Sequence, residues 1–136
     1  MRKQYAIQPR VIVEQASRRR GPEPDRWLVT WSIQNLGQEP LQILAGRLPH
    51  SRFRGKEREL APIPKLLSSE CAQLEFAVAC NEPPGTVVEN VFLILRVLWR
   101  DQTWRILARF RVVFNEQGAP ETITELVTTQ MVGFSL

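Results

Sequence analysis

Trp31-Ser-Ile-Gln-Asn-Leu-Gly-Gln-Glu-Pro-Leu-Gln-Ile-Leu44 decides the reading of this chain. Two runs alternate apolar and polar residues, and a turn written Asn35-Leu-Gly-Gln-Glu-Pro40 separates them. Alternation with period 2 marks half-buried strands. Asn35 and Gly37 are expected to supply a left-handed backbone at the reversal, with Pro40 marking the start of the next strand.

Working outward, the N-terminal neighbour of the turn is the clearest strand, Arg26 to Leu36. Trp27, Val29, Trp31 and Ile33 share one face, and Thr30, Ser32 and Gln34 take the other. On the C-terminal side, Pro40 to Gly46 reads as a strand. Tyr5 to Ala16 reads as a first strand, with Pro9 placing it at an edge or a bulge, and Ser17 to Asp25 as a polar loop. Arg47 to Glu59 reads as a charged connection that adds nothing to the core. Leu60-Ala-Pro-Ile-Pro64 reads as a short edge element, and Cys71 to Cys80 as a strand whose Leu74, Phe76, Val78 and Cys80 point inward.

Val87 to Trp99 and Thr103 to Asn115 form a hairpin across Arg100-Asp-Gln-Thr103. Pairing Trp99 with Trp104 sets Val97 against Ile106, Leu95 against Ala108 and Leu93 against Phe110, a wholly apolar face. The β-branched tail from Glu121 to Leu136 favours a last strand. Inward alternation accounts for all four tryptophans as core. The fold expected is all-β: an immunoglobulin-like antiparallel β-sandwich of seven or eight strands, with a Greek-key barrel as the alternative.

The chain has 136 residues, 43% hydrophobic and 24% charged, which suits one globular domain over 1–136 with its own core. Its formal charge is +4, and only Lys3, Lys56 and Lys65 are lysines, so the basic residues are nearly all arginine. No secretory leader or membrane-length apolar run is read, and no membrane partner follows. Cys71 and Cys80 on one strand would stand about 30 Å apart on opposite faces, too far for a disulfide. Reduced thiols point to a cytoplasmic setting.

Chemistry-bearing patterns are sparse. His50 is the only histidine and sits in a charged segment. The carboxylate pairs Glu57/Glu59 and Glu23/Asp25 lie in loops among arginines and prolines. No phosphate-cradling glycine loop is present. No catalytic residue, metal ligand or cofactor is assigned, and the chain is read as no enzyme. Arg105-Ile-Leu-Ala-Arg109 is similar to the RxxxR half of the PilZ motif, but the companion [DN]xSxxG is absent, so that match is rejected.

Three basic groups remain: Arg18-Arg19-Arg20; Arg52, Arg54, Lys56 and Arg58; and the hairpin arginines. On the outer face of that hairpin Arg96, Arg105, Arg109 and Arg111 mix with Phe92, Ile94, Leu98 and Leu107. These eight residues form the candidate interaction surface, since a large apolar patch with arginine suits association. The function expected is a non-enzymatic protein-interaction or structural module. Its partner is another protein or a second copy of itself, met through the outer sheet face or an edge. The alternative is single-stranded nucleic acid held by the arginine clusters.

The residues Val29-Thr-Trp-Ser-Ile-Gln-Asn-Leu-Gly-Gln-Glu-Pro-Leu-Gln-Ile43 resemble the strand–Asn-x-Gly–strand signature of bacterial immunoglobulin-like accessory modules, the CARDB-like β-sandwiches. The resemblance implies a spacer or docking role and supplies no catalytic residues.

Overall fold

The computed structural model describes residues 7–133. Among them are nine β-strands and no helix. They are β1 (Val11–Arg20), β2 (Arg26–Asn35), β3 (Leu41–His50), β4 (Phe53–Glu59), β5 (Lys65–Leu66), β6 (Cys71–Ala79), β7 (Val87–Trp99), β8 (Gln102–Phe114) and β9 (Pro120–Met131). Every pairing is antiparallel, in the order β1-β2-β6-β4-β3-β7-β8-β9, with β5 added beside β3. The all-β antiparallel expectation holds. The strands number nine rather than seven or eight, and they form one sheet that nearly closes on itself.

Closure between the two ends uses side chains in place of a ladder. Gln15 Nε2 donates to the Pro120 carbonyl at 3.2 Å, and its Oε1 accepts from Thr122 N at 2.7 Å. Thr124 Oγ1 donates to the Val13 carbonyl at 2.7 Å. These bonds satisfy polar groups that would otherwise lie orphaned along two edge strands. At the opposite seam, β4 and β6 share a single residue pair, Arg54 with Ala79.

Inside the closed sheet sit the inward rows of every long strand. Trp31, Phe53, Phe76 and Phe110 are almost wholly buried, and Trp31 touches the other three rings. Trp27, Trp99 and Trp104 are buried too, so all four tryptophans serve the core as their alternation predicts.

Asn35 is the one buried polar residue among those described, and its side chain builds the turn between β2 and β3. Oδ1 accepts from Gly37 N at 2.9 Å, while Nδ2 donates to the carbonyls of Glu39 at 2.9 Å and Leu66 at 3.0 Å. Neither Asn35 nor Gly37 adopts positive φ. The left-handed turn expected there is replaced by an Asx-type turn, in which the amide mimics backbone partners.

Left-handed residues sit at the β7–β8 turn instead, where Arg100 (φ 51°) and Asp101 (φ 58°) make a two-residue reversal of type I′ character. That tight turn pairs Trp99 with Gln102, Val97 with Trp104 and Leu95 with Ile106. The register therefore differs by two residues from the one expected. A shift of two keeps every side chain on its own face, which is why the buried set is unchanged.

Several boundaries also move. Ser17 to Arg20 continue β1 past a bulge between Gln15 and Ser17 instead of forming a loop. The segment Arg47 to Glu59 is strand through much of its length, and Phe53 is fully buried. Its inward alternation is Phe53 and Gly55, and a Cβ at Gly55 would stand 3.0 Å from Leu48 Cδ1. A core-facing glycine hides the apolar period from sequence. Leu60 to Pro64 form no strand; Lys65 and Leu66 pair with β3 in their place. The expected first strand begins later, at Val11, since residues 7–10 are not strand; its residues 5–6, and 134–136 of the expected last strand, lie outside the described residues.

Candidate functional site

The candidate surface is the outward face of β7 and β8. Antiparallel partners share a face, so Phe92 opposite Arg109, Ile94 opposite Leu107 and Arg96 opposite Arg105 make three rows. All eight predicted residues fall on it: Arg105 and Arg111 are exposed, and Phe92, Ile94, Arg96, Leu98, Leu107 and Arg109 are partly exposed. The face extends beyond the hairpin. Arg47 on β3 lies opposite Ile94, and on β9 Leu126 lies opposite Arg109 and Ile123 opposite Arg111. Ile123 and Leu126 are 43% and 48% exposed, among the most open apolar groups on this face. A bulge at Glu125 puts both outward, a parity change that no sequence period announces.

Arginines outnumber carboxylates on this face, where Glu121 lies opposite Val113 and pairs with Arg18. Arg96 pairs with Glu59 at 3.3 Å, which offsets the repulsion of Arg105 directly across the ladder. Among the described residues no carboxylate lies within ion-pair distance of Arg47, Arg105, Arg109 or Arg111. Arg109 Nε is buried and has no hydrogen-bond partner among the described residues.

The other two basic groups have different surroundings. Arg18 pairs with Glu121 at 3.1 Å, Arg19 with Glu75 at 3.3 Å, and the Arg20 guanidinium covers the Trp27 ring at 4.7 Å. That cluster is engaged by its own neighbours. Arg52 is bound to Glu82, whereas Arg54, Lys56 and Arg58 lie along the β4–β6 seam with no carboxylate partner among the described residues.

His50 ends β3, where its Nδ1 accepts from Arg52 N at 3.0 Å in the turn to β4. Among the described residues no group of three or more His, Cys, Asp or Glu could hold a metal ion. No helix there is long and apolar enough to cross a membrane. Cys71 is exposed and Cys80 buried, both as free thiols. Burial, then the nearby Glu82 charge, pushes the Cys80 thiol from 9.0 to about 12. A thiol so shifted stays neutral and is a poor nucleophile. At the hairpin tip, Arg100 lies over the Trp99 ring at 4.5 Å and bonds Glu39 at 2.6 Å. That bond holds the Glu39 carboxyl below its ordinary value and the Arg100 guanidinium above its own.

Neither a family model nor a curated protein matches the chain.

Proposed function

We propose that this chain is a non-enzymatic, cytoplasmic protein-interaction module that docks an acidic partner on the outer face of β3, β7, β8 and β9. One observation carries the reading: among the described residues Arg105, Arg109 and Arg111 have no carboxylate partner, and they stand among Phe92, Leu107, Ile123 and Leu126. Apolar area supplies affinity, and unpaired guanidinium groups choose a partner that brings carboxylates. A second copy meeting the same face head-on would set arginine against arginine, which favours a different protein over self-association. Free thiols at Cys71 and Cys80 accord with a reducing compartment.

We further propose that the sheet is an immunoglobulin-like, CARDB-like sandwich. Its support is that both seams are weak, one a single pair and the other side-chain bonded. They part β1-β2-β6 from β4-β3-β7-β8-β9, and Trp31 of the first group stacks on Phe110 of the second.

A photo-reactive residue in place of Leu107 tests the reading in the native cell. One acidic protein should be captured, and Arg105→Glu with Arg109→Glu should abolish the adduct. An adduct indifferent to charge reversal, or none, would sink it. Nucleic acid is the second reading, because unpaired arginines also suit phosphates. With every tryptophan buried, the stacking platform among the described residues is reduced to Phe92. Salt-sensitive binding of a single-stranded oligonucleotide, lost in the same double variant, would favour it instead.

A further inference from the structure

Past the single pair Arg54–Ala79, β4 and β6 part company. β4 follows β3, with Arg58 opposite Gly46 and Glu59 opposite Ala45, while β6 follows β2 from Ala77 to Cys71. Among the described residues, the β6 edge away from β2 over Cys71–Ala77 has no strand partner. The facing edge of Lys56–Glu59 has none either. Two cavities follow the opening in series. The first, about 380 Å³, is lined by Arg54, Lys56, Arg58, Phe76 and Ala77 among others; the second, about 420 Å³, by Arg58, Leu60, Pro62, Gln73 and Leu74 among others.

The opening has an aromatic floor and a cationic rim. Gly46 leaves the room that the Phe76 ring occupies, since a Cβ there would stand 2.5 Å from Phe76 Cζ. The Arg58 guanidinium lies 5.1 Å from the centre of that ring. Arg26 also lines the first cavity but leans on Glu23 at 3.8 Å, and Glu57 is the one carboxylate there.

We propose that this seam is a strand acceptor, taking an extended acidic peptide segment of another protein along the free edge of β6. Main-chain groups of an edge strand supply the pairing, and side chains alternate between groove and rim every about 6.6 Å. Carboxylates on the added strand would complement Arg54, Lys56 and Arg58, and intervening side chains would rest on the groove floor, where Phe76 and Leu74 are already buried. A second copy is a poor occupant. Its own open edge carries the same cations, and its β1 and β9 edges are engaged with each other.

The competing account is that charges on an exposed edge only deter unwanted pairing. The peptide Ser-Glu-Val-Glu-Val-Glu-Ser-NH2 carrying an N-terminal fluorescein separates the two by anisotropy with the full chain at low salt. The proposal expects saturable binding, and affinity at least about tenfold weaker in Arg54→Glu/Lys56→Glu/Arg58→Glu. It also expects a similar loss when alternate peptide nitrogens are methylated, a comparison made on the unaltered protein. Binding should survive Arg105→Glu/Arg109→Glu, so the seam and the outer face stand or fall separately. No binding, equal binding of the methylated peptide, or competition by oligothymidylate as strong as by unlabelled peptide would overturn it. So would a triple variant that self-associates without losing the peptide.

Discussion

The Trp31 indole lies flat against the Phe110 ring, with centroids 5.5 Å apart and planes 2° from parallel. Across the same core its edge meets Phe53, and Nε1 reaches out of the apolar cluster to Thr122 Oγ1 at 3.0 Å. One side chain thus ties β2 to β4, β6, β8 and β9. Trp31→Ala should cost about 3–5 kcal/mol through the cavity it leaves. Trp31→Phe keeps a ring there and gives up the Thr122 bond, for about 1–2 kcal/mol. Urea unfolding of both variants checks the order; equal losses would show that the hydrogen bond dominates the stacking.

Asn35 offers a test with a pH signature. Asn35→Ala removes two donors and one acceptor from a buried turn and should cost about 2–3 kcal/mol at any pH between 4 and 8. Asn35→Asp keeps the acceptor for Gly37 but faces the Glu39 and Leu66 carbonyls with a carboxylate. Burial and those carbonyls raise its folded pKa above the unfolded value. Stability is then fully present below the unfolded pKa and falls as pH rises through the folded one. The aspartate variant should be markedly less stable at pH 7 than at pH 4. A flat difference would mean that the turn opens to water.

Gly46→Ala probes the packing under the seam. The added methyl would meet Phe76 Cζ at 2.5 Å and Leu95 Cδ2 at 3.1 Å. Overpacking of that kind costs about 1–3 kcal/mol. A loss below about 0.5 kcal/mol in thermal or urea unfolding would mean that the Phe76 ring turns aside freely.

The two cysteines should label unequally. Iodoacetamide at pH 8 should add once, at exposed Cys71, and reach Cys80 only in denaturant. Because the folded Cys80 thiol is held at about 12 against an ordinary 9.0, the unfolded chain loses its proton first. That part of the stability is intact below pH 9 and declines between pH 9 and 12. Cys80→Ala should flatten the decline. Two adducts on the native protein would refute the buried thiol.

Sequence shows the fold best where both faces of a strand declare themselves. Trp27, Val29, Trp31 and Ile33 alternate against polar neighbours, and β2 appears as expected. The β7–β8 hairpin is equally plain, yet its register is not, because Arg100 and Asp101 take positive φ without a glycine to advertise it. β4 escapes notice because Gly55 contributes backbone, not a side chain, to the packed row. The outer face is half legible: Phe92 to Arg111 follow from alternation, while Ile123 and Leu126 join through a bulge. The seam is not legible at all. Arg54, Lys56 and Arg58 read as a solvated run until tertiary pairing shows that β4 and β6 diverge beside them.

The bridge from Gln15 to Thr122 spans 107 positions of chain. At a translation rate of about 5–20 residues per second, β1 leaves the ribosome roughly 5–20 s before β9 exists to receive it. During that wait Gln15 and the Val13 carbonyl have only water to bond, and the row of Val11 and Val13 lacks its far wall. Such distant contacts also place the chain among slow folders, on the order of milliseconds to seconds once released. The bonds that seal the sheet wait for the last strand of the chain.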